Sequence, residues 1–411
     1  MSTAAAAPAP GIAAARNYAI VTAAYWGFTL TDGALRMLVL LHFFRLGYSP
    51  FTLAFLFLLY EAAGIGANLI GGWLATRFGI TRMLAAGLAT QIGGFLMLSA
   101  VSPGWAPALS VAWVVAAQGV CGMAKDLTKT ASKSAIKLTA GEASGRLFRW
   151  VAFFTGSKNA MKGAGFFLGG LLLEVLGFRG ALWAMATALA LVLAGVMLSL
   201  PPLMGKAKAS TSAREFFARS RGVNLLAAAR VFLFGARDIW FVVGLPVFLY
   251  ASGWTFTMVG GFLAAWTIGY GFVQAAAPAL VRRSEDGLRT EVPAVRLWSL
   301  ALVAITAALT LALVAGLMQP DLLVAVGLTV FGFVFAVNSS VHSYLVLAYA
   351  GTEKAAEDVG FYYAANAVGR FTGILLSGLL YGSGGLPACL AGATVMLACC
   401  WAVTLLLPSR Q

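Results

Sequence analysis

The chain has 411 residues, of which 61% are hydrophobic and only 10% are charged, and its formal net charge is +14. Soluble globular domains carry about 25% charged residues, so this composition excludes an ordinary water-soluble enzyme. It also excludes a disordered chain, because such chains are poor in hydrophobic residues. The mean hydropathy of +0.88 indicates an all-α integral membrane protein instead.

Twelve apolar stretches follow one another along the chain, and each is long enough to cross a bilayer, which takes about 20 mostly apolar residues in a helix. The predicted spans are 17–41, 51–75, 82–101, 107–128, 147–173, 179–200, 223–250, 255–281, 294–318, 321–346, 357–381 and 385–407. We predict six-helix bundles at 17–200 and 223–407, joined by a basic central loop at 201–222. Short tails at 1–16 and 408–411 complete the predicted organisation.

The two predicted bundles resemble each other weakly in sequence. An offset of 206 residues pairs Asp32 with Asp238 and Gly47 with Gly253. Paired repeats of this kind are common in membrane transporters. We therefore expect twelve transmembrane helices with 6+6 pseudo-symmetry.

The basic residues outside the spans are distributed unevenly. Seventeen of the 28 Lys and Arg residues fall in the tails and in the loops after even-numbered spans, whereas only Arg45 and Arg179 fall in loops on the other side. Because cytoplasmic loops are enriched in Lys and Arg, both termini are predicted to be cytoplasmic. The positive net charge then reflects membrane orientation, so we expect contact with anionic membrane lipid and no nucleic-acid partner.

Nine basic residues lie within the predicted spans or close to their ends, and their candidate partners among the acidic residues are Asp32, Glu61, Asp126 and Asp238. The nine are Arg36, Lys125, Lys129, Lys133, Lys158, Lys162, Arg230, Arg237 and Arg370. A cation at the bilayer centre costs about 2.5–3.5 kcal/mol on insertion scales. Most of these side chains should therefore face a wet cavity or meet an anion, while Lys133 can reach the cytoplasmic interface.

Helical spacing places several of these cations on common faces, because residues four or seven apart lie on the same side of a helix. Lys125 and Lys129 share a face of the fourth span, as do Lys158 and Lys162 of the fifth, and Arg230 and Arg237 of the seventh. Spans three, six, nine and twelve have no charge in their interiors and are suited to face lipid. The other spans are then free to enclose a basic chamber.

A chamber with an excess of cations attracts small, multiply charged anions. The candidate substrate-binding residues are Arg36, Lys125, Lys129, Lys158, Lys162, Arg230, Arg237 and Arg370. The carboxylates Asp32, Glu61 and Asp238 are candidates for proton coupling or for ion pairing with these cations, and Asp32 is spaced to pair with Arg36. The alternative is that internal carboxylates or backbone carbonyl groups, and not a ligand, neutralise some of the cations.

Nothing in the sequence indicates a metal site or an enzyme. The four cysteines, Cys121, Cys389, Cys399 and Cys400, fit no ligand spacing. No nucleophile–base–acid set is apparent among the polar residues. We therefore predict neither a metal ion nor a cofactor, and no catalytic activity.

The segment GGWLATRFGITRM, residues 71–83, resembles the loop motif of the major facilitator superfamily, which ends in D-R-x-G-R-R. The matching residues are Gly72, Arg77, Phe78, Gly79 and Arg82. Thr76 stands where the motif usually has an acid, which puts the gating role of the motif in doubt here. The resemblance implies the twelve-helix fold of that superfamily.

A closer resemblance covers most of the chain. The segments similar to the bacterial organoarsenical-efflux permeases of the ArsJ type are 17–50, 122–138 (GMAKDLTKTASKSAIKL), 145–170 and 228–248. This resemblance implies an inner-membrane protein that exports 1-arseno-3-phosphoglycerate. That unstable ester forms when glyceraldehyde-3-phosphate dehydrogenase uses arsenate in place of phosphate, so the implied permease has a functional link to this dehydrogenase and confers arsenate resistance. We expect it to be a monomer.

Three alternatives remain open from the residues alone. An organic-phosphate or phosphate exchanger of the same fold would have the same basic chamber. A multidrug exporter would favour a more apolar and acidic cavity. A polytopic membrane enzyme or sensor would need a catalytic constellation or a soluble output domain.

Overall fold

The computed structural model describes residues 10–140, 144–201, 220–281, 288–349 and 355–408. Of the sequence motif at 71–83, the side chains of 71–78 lie outside the described part, as does the side chain of Lys133. The predicted tail 1–16 and central loop 201–222 fall largely outside it as well. All the regular secondary structure in the described residues is helical.

The first half of the described chain contains six helical passes. They are α1 (Pro10–Arg45), α2 (Pro50–Phe78), α3 (Ile80–Ser99), α4 (Pro107–Ala140), α5 (144–176) and α6 (178–199). The last two passes form one continuous helix, Ser144–Ser199, that bends at Gly177. Gly177 has a φ of 67°, which a residue without a side chain adopts at no steric cost.

The second half repeats this arrangement. Its passes are α7 (Arg221–Ala251), α8 (Phe256–Leu280), α9 (Glu291–Val314), α10 (Pro320–Tyr349), α11 (355–383) and α12 (386–405). α7 contains a π-helical turn at Trp240–Gly244. α11 and α12 belong to one long helix, Ala355–Leu405, which breaks at Gly384 and Gly385.

The helical passes have the length and the apolar composition of membrane-spanning helices. Nine apolar helical segments of the described chain are long enough to cross it. Two of them, Ser157–Ser199 with 43 residues and Phe361–Leu405 with 45, contain the bends, and at 1.5 Å per residue each is about twice the thickness of the hydrocarbon core. α2 adds the shorter apolar stretch Pro50–Gly64. The prediction of twelve transmembrane helices is confirmed. The bend at Gly177 lies in the gap that was predicted between the fifth and sixth spans.

Close backbone contacts hold each half together at corresponding places. On α5, a Cβ added at Gly165 or Gly169 would collide with the backbone of α1. On α11, Gly369 and Gly373 face the backbone of α7 in the same way. Small residues allow helices to approach this closely in a bilayer, and the equivalent pairs α1–α5 and α7–α11 express the pseudo-symmetry of the fold.

The two halves meet through α2 with α11 and through α5 with α8. A Cβ at Gly378 of α11 would lie 2.5 Å from Cβ of Ala54 on α2. At the other contact, Glu174 of α5 accepts hydrogen bonds from the backbone N–H of Thr257 at 3.1 Å and from its hydroxyl group at 2.6 Å. Both contacts lie at the membrane face where α5 and α11 end and α2 and α8 begin.

Candidate functional site: a basic cavity between the two halves

A cavity with about 430 Å³ of empty space, part of it open to solvent, lies between the two halves and is lined by α1, α5, α7, α8 and α11. Its charged lining residues are Arg36, Lys162, Arg237, Asp238 and Arg370. The lining drawn from the described residues includes none from α3, α6, α9 or α12. Four cations and one carboxylate therefore face this space.

One buried carboxylate organises the cations on the first-half side of the cavity. Glu61 has only 3% of its side chain exposed. Its Oε1 accepts hydrogen bonds from Nη2 of Arg36 at 2.8 Å and from Nη2 of Arg370 at 2.6 Å. Nζ of Lys125 lies 3.4 Å from its Oε2. Cations from α1, α4 and α11 thus converge on one acid, and charged hydrogen bonds of this kind are among the strongest in proteins.

A second buried carboxylate, Asp238, plays the same part on the second-half side. Its Oδ1 accepts from Nε and Nη2 of Arg237 at 2.7 and 2.5 Å. Its Oδ2 lies 3.3 Å from Nε of Arg370. Arg370 therefore bridges Asp238 of its own half and Glu61 of the other half, so a single guanidinium group links the two charge clusters.

Lys162 differs from the arginines around the cavity. Within the part of the chain that the structure describes, no carboxylate oxygen lies within 4.0 Å of its Nζ, which is 5.7 Å from the centre of the Phe166 ring. A Cβ at Gly33 of α1 would lie only 2.7 Å from the carbonyl oxygen of Lys162. The glycine therefore lets α1 approach α5 at this level, with Arg36 one turn further along α1.

Asp32 does not pair with Arg36, although their spacing on α1 allowed that prediction. The hydroxyl group of Tyr60 donates to Oδ1 of Asp32 at 2.5 Å, while the longer Arg36 side chain reaches Glu61. Nζ of Lys125 lies 4.1 Å from the centre of the Tyr60 ring. The aromatic ring and its hydroxyl group thus separate Asp32 from the cluster around Glu61.

Three lysines that the sequence grouped with the chamber do not line the cavity. Lys125 is directed to Glu61, and Lys129 binds Oδ1 of Asp126 at 3.0 Å with 30% of its side chain exposed. Lys158 is half-buried on α5, one turn away from Lys162. The shared faces were predicted from spacing, but one helical turn, about 5.4 Å, decides whether a side chain reaches the cavity.

Arg230 also lies outside the cavity. It is buried, with 4% of its surface exposed. Its guanidinium group donates to Oδ1 of Asn366 at 3.2 Å and to the carbonyl oxygen and hydroxyl group of Ser339 at 3.3 and 3.2 Å. The rings of Phe234 and Tyr362 lie 3.9 and 4.8 Å from its guanidinium carbon. Neutral acceptors and aromatic faces thus stabilise this cation where it lies.

Arg230 and Arg237 do share one face of α7. Both guanidinium groups approach the ring of Phe234, at 3.9 and 4.8 Å from its centre. The hydroxyl group of Tyr270, which lines the cavity, donates to that of Ser339 at 3.3 Å. A short polar connection therefore leads from the cavity to the Arg230 cluster.

The sequence reasoning missed the aromatic wall of the cavity. Phe166, Phe241, Trp266 and Tyr270 line it. The rings of Trp266 and Tyr270 are stacked, with centres 5.8 Å apart and planes within 1°. Their spacing of four residues on α8 was the available signal, but that spacing is equally typical of aromatic residues in an apolar helix core.

A family model described as Major Facilitator Superfamily matches residues 18–373. The chain belongs to the major facilitator superfamily. It is therefore a multi-pass membrane transporter and not an enzyme. No curated protein matches the sequence.

Solved structures of POT family transporters are similar to this major facilitator chain over nearly its whole length. One, in complex with a thioalcohol conjugated peptide, has a TM-score of 0.73 with 13% identity, and 95% of each chain is covered. Another, in complex with 5-aminolevulinic acid, has a TM-score of 0.74 with 12% identity and the same coverage. A third, from work on proton dependent oligopeptide transporters, has a TM-score of 0.69 with 13% identity and covers 96% of this chain and 97% of its own. At these identities the likeness establishes the fold alone.

Proposed function

We propose that this transporter exports a small organic oxyanion with several negative charges, and that the anion is 1-arseno-3-phosphoglycerate. The observation that carries the proposal is the set of four cations facing one cavity, among which Lys162 has no carboxylate partner in the described residues. Internal carboxylates already bind the three arginines. The excess positive charge is the natural place for a ligand anion.

The chemistry of this ester matches the cavity. It carries a phosphate group, an arsenate group and one hydroxyl group. Guanidinium groups bind such tetrahedral oxyanions through two parallel hydrogen bonds, and an ammonium group adds a point charge. Aromatic walls exclude water, which strengthens the attraction between these charges. The apolar and cationic lining suits an anion on a short carbon chain.

The resemblance of four long segments to organoarsenical-efflux permeases supports arsenic as part of the substrate. A carrier of trivalent arsenic would instead need clustered thiols, because that form of arsenic bonds to sulfur. Cys121, Cys389 and Cys400 are buried in the helix packing, and none of the four cysteines lines this cavity. The site therefore favours the oxyanion form.

The orientation with both termini cytoplasmic gives the contacts between the halves a function. In that orientation, the contact of Ala54 with Gly378 and that of Glu174 with Thr257 lie at the outer face of a bacterial inner membrane. In this orientation they would close the cavity toward the outside, and the protein would accept its substrate from the cytoplasm. Rocking of the two halves would then expose the cavity on the other side.

A proton gradient is the driving force that we propose. A proton taken up by Glu61 or Asp238 would remove the negative charge that holds Arg370, and a neutral acid would release the link between the halves. Asp32, hydrogen-bonded to Tyr60, is the third candidate for proton uptake. Export that ignores an imposed pH gradient would contradict this part of the proposal.

The test uses everted membrane vesicles that contain the protein, supplied with glyceraldehyde 3-phosphate, NAD and radiolabelled arsenate. We expect label to enter these vesicles only when glyceraldehyde-3-phosphate dehydrogenase is also present. Vesicles without the protein serve as the control. Uptake of arsenate without the dehydrogenase, or exchange of phosphate or sugar phosphates with no dehydrogenase-dependent uptake, would contradict the proposal and identify an organic-phosphate or phosphate exchanger.

A further inference from the structure

Glu61 binds two arginines of the cavity without lining the cavity itself. Arg36 and Arg370 both face the open space, yet each directs Nη2 to the same carboxylate oxygen, at 2.8 and 2.6 Å. Lys125 approaches the other oxygen of Glu61 at 3.4 Å. A buried side chain of the protein therefore binds one nitrogen of each guanidinium group that a ligand anion would use.

The cations of the cavity differ in how internal carboxylates bind them. No carboxylate among the described residues binds Lys162. Asp238 holds Arg237 through two hydrogen bonds. To bind Nη2 of Arg36 and of Arg370 as well, the ligand must displace the carboxylate of Glu61 from both.

This displacement depends on the charge and shape of the ligand. A free monocarboxylate offers the same chemical group as Glu61 but loses translational and rotational freedom on binding, whereas the tethered side chain does not. A dianionic tetrahedral oxyanion carries twice the charge and three acceptor oxygens. Its three oxygens can each bind one cation, two guanidinium groups and the ammonium group of Lys162, whereas a carboxylate must share two oxygens among the three.

We infer that Glu61 is a specificity-determining residue, an internal competitor that makes the cavity accept dianionic tetrahedral oxyanions and reject monocarboxylates. The inference rests on the proposed function, because it takes the cavity as the place where the transported anion binds. It adds the class of anion that the site selects and the residue that sets the selection.

The experiment compares two ligands that differ by one phosphate group, 3-phosphoglycerate and glycerate, at pH 8. Purified protein in lipid nanodiscs is titrated with each, and the ligand-induced rise in melting temperature is recorded. We expect wild-type protein to respond to 3-phosphoglycerate and not to glycerate. E61Q should gain a response to glycerate and bind 3-phosphoglycerate about tenfold more tightly, because the ligand then displaces a neutral amide and not the charged hydrogen bonds of Glu61.

The matched control is D321N, which removes one negative charge at the start of α10, where Asp321 accepts a hydrogen bond from the backbone of Leu322. This variant should discriminate between the two ligands as the wild type does. If E61Q does not fold, E61D replaces it, since it keeps the charge but withdraws the carboxylate by one methylene group. E61D should gain the glycerate response in the same direction.

The outcomes separate the inference from the proposed function. An equal response of wild-type protein to both ligands, or no gain of glycerate binding in the folded Glu61 variants, would overturn the inference and leave an anion site in place. No response of any variant to either ligand would overturn the proposed anion site itself. If wild-type protein binds 3-phosphoglycerate and not glycerate, and the Glu61 variants bind both ligands, the inference and the proposed function are both supported.

Discussion

Arg370 of α11 donates to Glu61 of α2 over 2.6 Å and thereby joins the two halves of this transporter near the middle of both helices. The same guanidinium group lies 3.3 Å from Asp238 of its own half. The two residues differ in their number of charged partners, because Glu61 has three cationic partners while Arg370 has two carboxylates. A charge cluster that spans both halves must rearrange whenever they move apart.

The unequal partners predict unequal losses of stability. E61Q should destabilise the fold by about 3–5 kcal/mol, the usual cost of leaving buried charges unpaired. R370Q should cost less, since Glu61 keeps Arg36 and Lys125. The double variant should be more stable than the sum of the two losses predicts. Melting temperatures in nanodiscs measure all three, and strictly additive losses would show that the pair is not coupled.

Arg230 allows folding to be separated from ligand binding. Because it binds Asn366 and Ser339 through two different nitrogens, R230K cannot reproduce the arrangement and should lower the melting temperature. Since Arg230 does not line the cavity, the affinity of the folded variant for 3-phosphoglycerate should stay close to that of wild type. A loss of affinity with no loss of stability would place Arg230 in the ligand site after all.

A larger side chain at the contact of α2 with α11 should keep the two halves apart at one membrane face. G378V places methyl groups against Ala54, Pro50 and Phe51, so the halves cannot close there and transport should be lost. G382V, one turn further along α11, is the matched control, because an added Cβ there meets nothing within 4 Å.

A cysteine at the cavity position Thr267 shows directly whether G378V opens the cavity to the outside. Added from outside the cell, a membrane-impermeant maleimide should label T267C faster in the G378V background than in the G382V background. Equal labelling rates would contradict the assignment of this contact as the outer closure.

The sequence predicted the helical passes well because hydropathy and length report directly on a bilayer. Gly177 and Gly384 fall in predicted gaps, and Gly385, the second residue of the break, is the first residue of the predicted twelfth span. The π-helical turn at Trp240–Gly244 was not predicted, because hydropathy and length carry no signal for it. The start of α1 at Pro10 was missed because the segment before 17 is only weakly apolar.

The candidate site was predicted less completely. Burial within a span correctly indicated that cations such as Arg36 and Arg370 need anionic or aqueous surroundings. Helical spacing could not give the rotation of each helix, so Lys129 was grouped with the chamber although it pairs with Asp126. Which carboxylate each arginine meets depends on contacts between helices far apart in sequence, which periodicity alone does not encode.

The most direct test of the central claim is dehydrogenase-dependent uptake of labelled arsenate into everted vesicles containing either K162M or K129M. Lys162 faces the cavity with no carboxylate partner in the described chain, whereas Lys129 pairs with Asp126 outside it. The account predicts that K162M lowers uptake at least tenfold, the effect of losing one charged contact to the ligand, while K129M transports nearly as well as wild type. Normal uptake by K162M, at equal amounts of inserted protein, would contradict the assignment of this cavity as the path of the anion.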